Sequence, residues 1–345
     1  MRMTGIGRVL GPGRWRTLRV GAAALAALGL VGAVPPAVAS ASPQPALNWT
    51  EQAPATSPPA RTGAMMTYDA ATGKMVLFGG WNGSASYVVF GDTWTWNGTT
   101  WTQQHPATSP SARFWGAMAY DAATRTVVLF GGADGGGNVL GDTWTWNGTT
   151  WTQQHPATSP PARAGAMMAY DAATGTVVLF GGGSYLNDTW TWNGTTWTQQ
   201  HQATKSPRPT ALASMAYDAA TRTVVLYGGE INNGALATTW TWNGTTWTKR
   251  YPATSPPARL VAHMAYDAAT RTVVLFGGAQ GSDFLDSFGD TWTWCGRAWT
   301  EQQPATSPSA RQEGAMAYDA ATRTVVLFGG YGGGRSDLND TWTWG

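Results

Sequence analysis

Short runs of β-branched and aromatic residues, each closed by glycine, recur along the chain from about residue 46 to its end. In one of them, Thr-Val-Val-Leu-Phe at 176–180 runs directly into Gly181-Gly182. Runs of this length and composition are typical of strands. No segment has apolar residues at helical spacing. The pattern therefore predicts an all-β chain.

Around this run the pattern predicts four strands, which we name a to d. Strand a covers 165–170, b covers 176–180, c covers 189–192 and d covers 195–199. Asp171 follows strand a, where its side chain can bond to the turn backbone. Asn193-Gly194 between c and d predicts a two-residue type I′ hairpin, in which both residues need positive φ.

The four-strand unit repeats along the chain. Its Gly-Gly pairs begin at Gly79, Gly131, Gly181, Gly228, Gly277 and Gly329, with spacings of 52, 50, 47, 49 and 52 residues. Side chains grow from Gly and Ala in a to Trp in c and d, as wedge-shaped sheets around an axis require. The last repeat lacks strand d, and residues 48–52 match the missing strand. We predict a six-bladed β-propeller over 46–345, closed by the N-terminal strand.

The Gly-Gly after b, the aromatic strand c, the Trp of strand d and the ~50-residue period resemble Kelch repeats. The chain is similar to the bacterial type related to the central propeller of galactose oxidase. That resemblance would imply copper held by His ligands and a Cys-linked Tyr, but the ligand set is missing. Cys295 is the only cysteine and lies in a c–d hairpin, and only His263 is on an innermost strand. We expect no metal and no cofactor.

The N-terminus has the pattern of a secretory signal peptide. Five arginines precede an apolar run over 20–34, and small residues follow at 37–41. We predict a signal peptide at 1–39, a linker at 40–45 and an extracellular protein without a membrane span after cleavage. The leader holds five of the 21 basic residues and none of the 19 acidic ones. The rest therefore carries 16 basic and 19 acidic residues, a net charge of −3, which disfavours nucleic acid as a partner.

Comparing the repeats predicts an Arg–Asp pair within each blade except the fourth. The arginine opens strand a and the aspartate precedes strand c. The predicted pairs are Arg61 and Asp92, Arg113 and Asp142, Arg163 and Asp188, Arg259 and Asp290, and Arg311 and Asp340. Blade four has Thr210 and Thr238 instead. Loss of both partners together favours a structural pair over a ring of ligand-binding arginines.

Variation is concentrated on one face, in the b–c loops and just after the strand-a arginine. Loops on a rigid scaffold commonly carry binding residues, although drift in unconstrained loops is the alternative. The candidate ligand-binding residues are Trp81, Tyr87, Phe114, Trp115, Tyr185, Glu230, Asn232, His263, Phe284, Glu313, Tyr331 and Arg335. By contrast, the tryptophans of strands c and d recur in most blades, which indicates packing between blades.

We predict a monomeric, secreted, non-catalytic binding propeller that recognises a glycan or an extracellular protein through this face. Two alternatives remain open. One is a sugar mutarotase similar to the sialate epimerases among Kelch proteins, with Glu313 and His263, or Glu230, as acid and base. The other is a purely structural extracellular module. No residue is assigned a catalytic role.

Overall fold

The computed structural model describes residues 47–83, 87–183, 186–201, 206–208, 210–232, 234–281 and 286–345. These residues form strands and turns without helices. Six antiparallel sheets follow one another in chain order; five have four strands, and the sheet of blade six has a short fifth strand in addition to its four. The predicted six-bladed β-propeller is confirmed.

Each blade runs from strand a at the axis to strand d at the rim. The a strands are Met65–Asp69, Ala117–Asp121, Met167–Asp171, Ser214–Asp218, His263–Asp267 and Ala315–Asp319. The b strands are Lys74–Phe78, Thr126–Ala133, Thr176–Phe180, Thr223–Tyr227, Thr272–Phe276 and Thr324–Gly332. The c strands are Thr93–Trp96, Val139–Trp146, Thr189–Trp192, Thr239–Trp242, Thr291–Trp294 and Asp337–Trp344. The d strands are Trp101–Gln104, Trp151–Gln154, Trp197–Gln200, Trp247–Arg250, Trp299–Gln302 and, for blade six, Trp49–Gln52. Short additional strands are Trp81–Asn82, Val88–Val89, Glu230–Ile231, Gly234–Ala235 and Arg311–Gln312.

The first and last blades meet, so the sheets form a closed ring. Strand a of each blade packs against strand a of both neighbours, including blade one against blade six. The N-terminal strand pairs with strand c of blade six, with Trp49 opposite Trp344 and Gln52 opposite Thr341. Closure by the N-terminal strand, as the sequence predicts, leaves blade six with its full set of four strands.

The hydrophobic core lies between blades. Val128 and Phe130 of blade two, for example, pack with Leu179 and Trp192 of blade three, and all four are fully buried. The strand-d tryptophans also fix neighbouring sheets by hydrogen bonds. Each donates its indole N–H, at 2.9–3.0 Å, to a threonine of strand c in the preceding blade. This threonine is the first residue of strand c in four blades, and Thr143 and Thr341 are its equivalents in the longer c strands of blades two and six. Trp therefore recurs because it fills space between the blades and donates a hydrogen bond to the sheet of the preceding blade.

The predicted type I′ hairpin between c and d is wrong. Gly194 has φ 97°, but Asn193 does not have positive φ. The loop is four residues long, and the first pair beyond it is Trp192 with Trp197. The side-chain oxygen of Asn193 accepts hydrogen bonds from the backbone N–H groups of Thr195 and Thr196, at 3.0 and 2.9 Å. This Asx-type capping holds the longer loop, so strand d starts two residues later than predicted.

The five Arg–Asp pairs are present as bidentate salt bridges. In blade three, Arg163 donates from Nη1 and Nη2 to the two carboxylate oxygens of Asp188, at 2.7 and 2.8 Å. The guanidinium also donates to the carbonyl oxygens of Gly181 and Pro161, both at 3.0 Å. Trp190 donates its indole N–H to Asp188 at 2.7 Å. Equivalent bridges join Arg61 to Asp92, Arg113 to Asp142, Arg259 to Asp290 and Arg311 to Asp340.

The predicted signal peptide and linker lie outside the described residues. Within the described ranges, no helix has the length and apolar character needed to cross a membrane.

Candidate functional site

The variable face is the end of the propeller that carries the b–c loops and the residues after the strand-a arginines. Six residues at its centre form what we call the mouth ring: Gly63, Trp115, Gly165, Leu212, Val261 and Glu313. Each donates its backbone N–H to the carbonyl oxygen of the equivalent residue in the preceding blade, and Gly63 donates to Glu313. The N···O distances are 2.7–3.1 Å. The backbone thus forms a closed hydrogen-bonded ring around the axis.

All six residues of the mouth ring have positive φ, between 48° and 65°. This conformation is uncommon for non-glycine residues and most strained for a β-branched residue such as Val261. Bulky side chains cover the glycines: a Cβ on Gly63 would lie 2.9 Å from Trp115, and one on Gly165 would lie 2.8 Å from Leu212. Backbone strain of this kind is often found at functional sites. The ring frames a cavity of about 160 Å³ at the mouth of the central channel.

Glu313 places a carboxyl group at this mouth. Its side chain accepts a hydrogen bond from Oγ1 of Thr62 at 3.0 Å. It keeps some contact with solvent, but dense packing removes most of its hydration and raises its pKa to about 7. The negative charge of Asp337 also raises this pKa, whereas the hydrogen bond from Thr62 and the proximity of the polar N–H groups of Trp115 and Trp81 lower it. Neither indole N–H reaches standard hydrogen-bond geometry. Glu313 therefore titrates near neutral pH.

His263 lies below the mouth, on strand a of blade five, and is 3% exposed. Its Nε2 accepts a hydrogen bond from the backbone N–H of Gly314 at 2.7 Å. Its Nδ1 therefore carries the proton and faces the carbonyl oxygen of Phe276 at 3.2 Å. Burial, and secondarily the charge of Arg311, lowers its pKa to about 3. With both nitrogens engaged, His263 is a neutral structural residue, although it lies beside the backbone of Glu313.

Four of the candidate residues form a continuous aromatic cluster on blades one and two. Ring centroids are 5.6 Å apart between Trp81 and Tyr87, 5.7 Å between Trp81 and Phe114, and 5.1 Å between Phe114 and Trp115. Tyr87 is 54% exposed, whereas Phe114 is buried. The cluster therefore presents Tyr87 to solvent and anchors Trp115 at the mouth ring.

A cleft of about 530 Å³ lies beside the mouth, over blade three. Blade three has the shortest b–c loop, five residues against eight to eleven in the other blades. Trp115 and Val139 line one side, and Leu212 and Glu230 line the other. Val139 is 48% exposed and Glu230 is buried at 7%. The cleft brings Trp115 and Glu230 together, which sequence spacing alone does not show.

The remaining candidates are not brought into this group. Asn232 is exposed in the loop after Glu230–Ile231. Tyr331 is half-buried and pairs with Gln312 and Asp337 in blade six, and Arg335 is exposed in the adjoining turn. Tyr185 and Phe284 lie outside the described residues. The candidate site is therefore the mouth ring with the cleft and the aromatic cluster.

The arrangement offers no metal centre within the described part of the chain, where no three His, Cys, Asp or Glu side chains lie together as ligands. Cys295 is an exposed free thiol at a c–d hairpin.

The titration of Glu313 predicts that the difference in stability between the wild-type protein and the variant Glu313→Gln depends on pH. Its pKa is about 7 in the folded state against an ordinary 4.5, so between these pH values the folded protein holds a proton that the unfolded chain has released. The stability contributed by Glu313 is therefore lost as pH rises through this window, by at most roughly 3 kcal/mol. We expect Glu313→Gln to match wild type near pH 4.5 and to be more stable above pH 7 in urea unfolding. The shifted pKa of His263 is the same in both proteins, so its effect on stability cancels in the comparison. A stability difference between the two proteins that does not change with pH would contradict the raised pKa of Glu313.

Comparison with known proteins supports the fold. The solved structure of YjhT superimposes with a TM-score of 0.63 at 15% sequence identity, covering 84% of this chain and 96% of that chain. At this identity the similarity concerns the fold. No family model matches the chain, and no curated protein matches it.

Proposed function

We propose that this protein is a secreted, non-catalytic binding propeller that recognises a glycan, or an extracellular protein, through the variable face. The observation that carries the proposal is the cleft over blade three. Its volume of about 530 Å³ lies in the range of small-ligand sites. A tryptophan, exposed apolar side chains and one carboxylate line it, and this combination suits the apolar faces and hydroxyl groups of sugars.

The arrangement of variation supports the same proposal. Loops of different length and content surround the cleft, whereas the Asp-Ala-Ala-Thr turns and c–d hairpins of the opposite face repeat almost unchanged. A rigid closed scaffold holds the cleft open, so little conformational entropy is lost on binding. The Kelch-like repeats and the predicted leader add the expectation of an extracellular propeller of the Kelch type, related to the central propeller of galactose oxidase.

A glycan array probed with the mature protein tests this function. We expect one or more hits that Val139→Asp abolishes, because Val139 is an exposed wall of the cleft outside the mouth ring. Trp115→Ala is expected to weaken the same hits. Tyr251→Ala is the matched control, since Tyr251 is 81% exposed and does not line the cleft. Hits that survive Val139→Asp would place recognition elsewhere, and an array without hits would leave protein recognition or a structural role.

A sugar mutarotase is the second candidate, and the shifted pKa of Glu313 favours it. A carboxyl group that titrates at about pH 7 can act as acid and as base near neutral pH. His263 cannot be its partner, because both ring nitrogens are engaged. Proton-exchange NMR of free reducing sugars should show catalysed anomer interconversion that Glu313→Gln removes. Exchange rates unchanged by the protein would exclude this candidate.

A further inference from the structure

Blade four lacks the Arg–Asp pair, and a cavity of about 210 Å³ occupies the corresponding position. Its walls come from the ends of strands b, c and d and from the connector before strand a. Thr210 replaces the arginine, Thr238 replaces the aspartate, and Leu236 lines the space. A cavity of about 150 Å³ is enough for benzene, so the volume admits a small organic molecule.

Two polar groups that the pair satisfies elsewhere lack these partners in blade four, where threonines replace the arginine and the aspartate. In the other five blades, the first tryptophan of strand c donates its indole N–H to the aspartate at 2.7 Å. The indole of Trp240 has no such acceptor among the described residues, and its N–H is open to solvent in the cavity rather than buried. In those blades the arginine also donates to the first carbonyl oxygen of the Gly-Gly pair, at 2.9–3.2 Å. No described group donates to the equivalent oxygen of Gly228.

The edge of the cavity is positively charged. Arg208 and Lys249 both line it. Lys249 lies opposite Trp240 in the sheet, where the equivalent residue of blade three is the neutral Gln199. The hydroxyl of Thr210 is already engaged, because it donates to the carbonyl oxygen of Glu230 at 3.0 Å. The N–H of Trp240 and the positive charges of Arg208 and Lys249 together favour an anion at the position of the missing carboxylate.

We propose that the blade-four cavity binds a small hydroxy- or amino-carboxylate. The ligand carboxylate takes the place of the aspartate: it accepts a hydrogen bond from Trp240 and faces Arg208 and Lys249. A neighbouring hydroxyl or amino group donates to the carbonyl oxygen of Gly228. The cavity shares no lining residue with the cleft over blade three, so this site is independent of the proposed function.

Titration of the ¹⁵N-labelled mature protein with lactate and with D-glucuronate tests the site. We expect both to shift the indole N–H resonance of Trp240, whereas lactamide and D-glucose, which lack the charge, do not. A response to lactate alone assigns the site to free hydroxy acids, and a stronger response to glucuronate assigns it to sugar acids. Absence of a response to either carboxylate, or equal responses to their neutral counterparts, would overturn the proposal.

A variant in which the side chains of the ion pair fill the cavity again serves as the matched control. Thr210→Arg with Thr238→Asp should rebuild the ion pair of the other five blades, keep or raise the melting temperature, and abolish the response to both carboxylates. Trp240→Phe keeps the ring but removes the donor, and should weaken binding roughly tenfold or more. Trp190→Phe makes the same change in blade three and should leave affinity unchanged. A refilled protein that binds as wild type does would show that the ligand lies elsewhere.

Discussion

Replacing Trp49 by alanine is expected to lower the free energy of unfolding by about 3–5 kcal/mol, the usual cost of truncating a buried tryptophan. Trp49 is 1% exposed and packs between Phe276 of blade five and Trp344 of blade six. Its indole N–H donates to Oγ1 of Thr291 at 2.9 Å. The substitution therefore leaves a cavity where the N-terminal strand closes the ring, and urea unfolding of residues 46–345 measures the loss.

The control for this prediction is Trp101→Ala. Trp101 holds the same place in blade one, packs on Phe328 and donates to Thr341 at 2.9 Å, but its strand continues directly from strand c. Similar losses for the two variants would show that the N-terminal strand is as firmly paired as the other d strands. A loss for Trp101→Ala alone would contradict closure of the propeller by residues 49–52.

Asp188→Ala is expected to cost about 3–5 kcal/mol, because it leaves the guanidinium of Arg163 buried without its counter-charge. The Arg163 side chain is 0% exposed and the Asp188 side chain is 16% exposed. Partial burial raises the pKa of Asp188, but hydrogen bonds from Arg163 and Trp190 and the charge of Arg163 outweigh it and hold this pKa below its ordinary value. The pair therefore contributes its full stability at pH values above the ordinary pKa of aspartate, and this contribution is lost as the pH falls through the lowered pKa of Asp188.

Asn187→Ala, on the exposed neighbouring residue, is the matched control and should change stability by less than about 0.5 kcal/mol. The cost of Asp188→Ala should also persist at 1 M salt, because buried pairs are only weakly screened. An unchanged melting temperature in Asp188→Ala would mean that the pairs do not stabilise the blades. Loss of the effect at high salt would mean that the pair acts as a surface charge.

Some features of the fold could be predicted because they recur at fixed offsets in every repeat. The Arg–Asp pairing illustrates this. Thr210 and Thr238 depart from the pattern in the same blade, which indicates contact between the two positions. The side chains in the other blades are indeed joined at 2.6–2.7 Å. Near-identical repeats thus supply the comparison that one isolated domain lacks.

Other expectations depended on local rules, and one of these was wrong. Asn-Gly is a strong signal for a two-residue hairpin, but the Asn193 side chain caps a four-residue loop instead. The rule concerns backbone preference and does not include a side-chain acceptor that stabilises a longer turn. The error concerns only two residues in each loop, but it moves the start of strand d by two positions in blades one to five, where strand d follows strand c along the chain.

The number of blades, the closure by residues near the N-terminus and the pairing within each blade follow from residue types that repeat, so they can be read from the sequence. The character of the variable face, by contrast, depends on contacts that form only in the folded propeller. The mouth ring joins backbone groups from six blades through positive φ angles, which the side chains at Trp115, Val261 and Glu313 do not encode. The pKa of Glu313 and the cavity beside Trp240 likewise depend on neighbours from distant parts of the chain, so burial and distance, rather than residue type, define them.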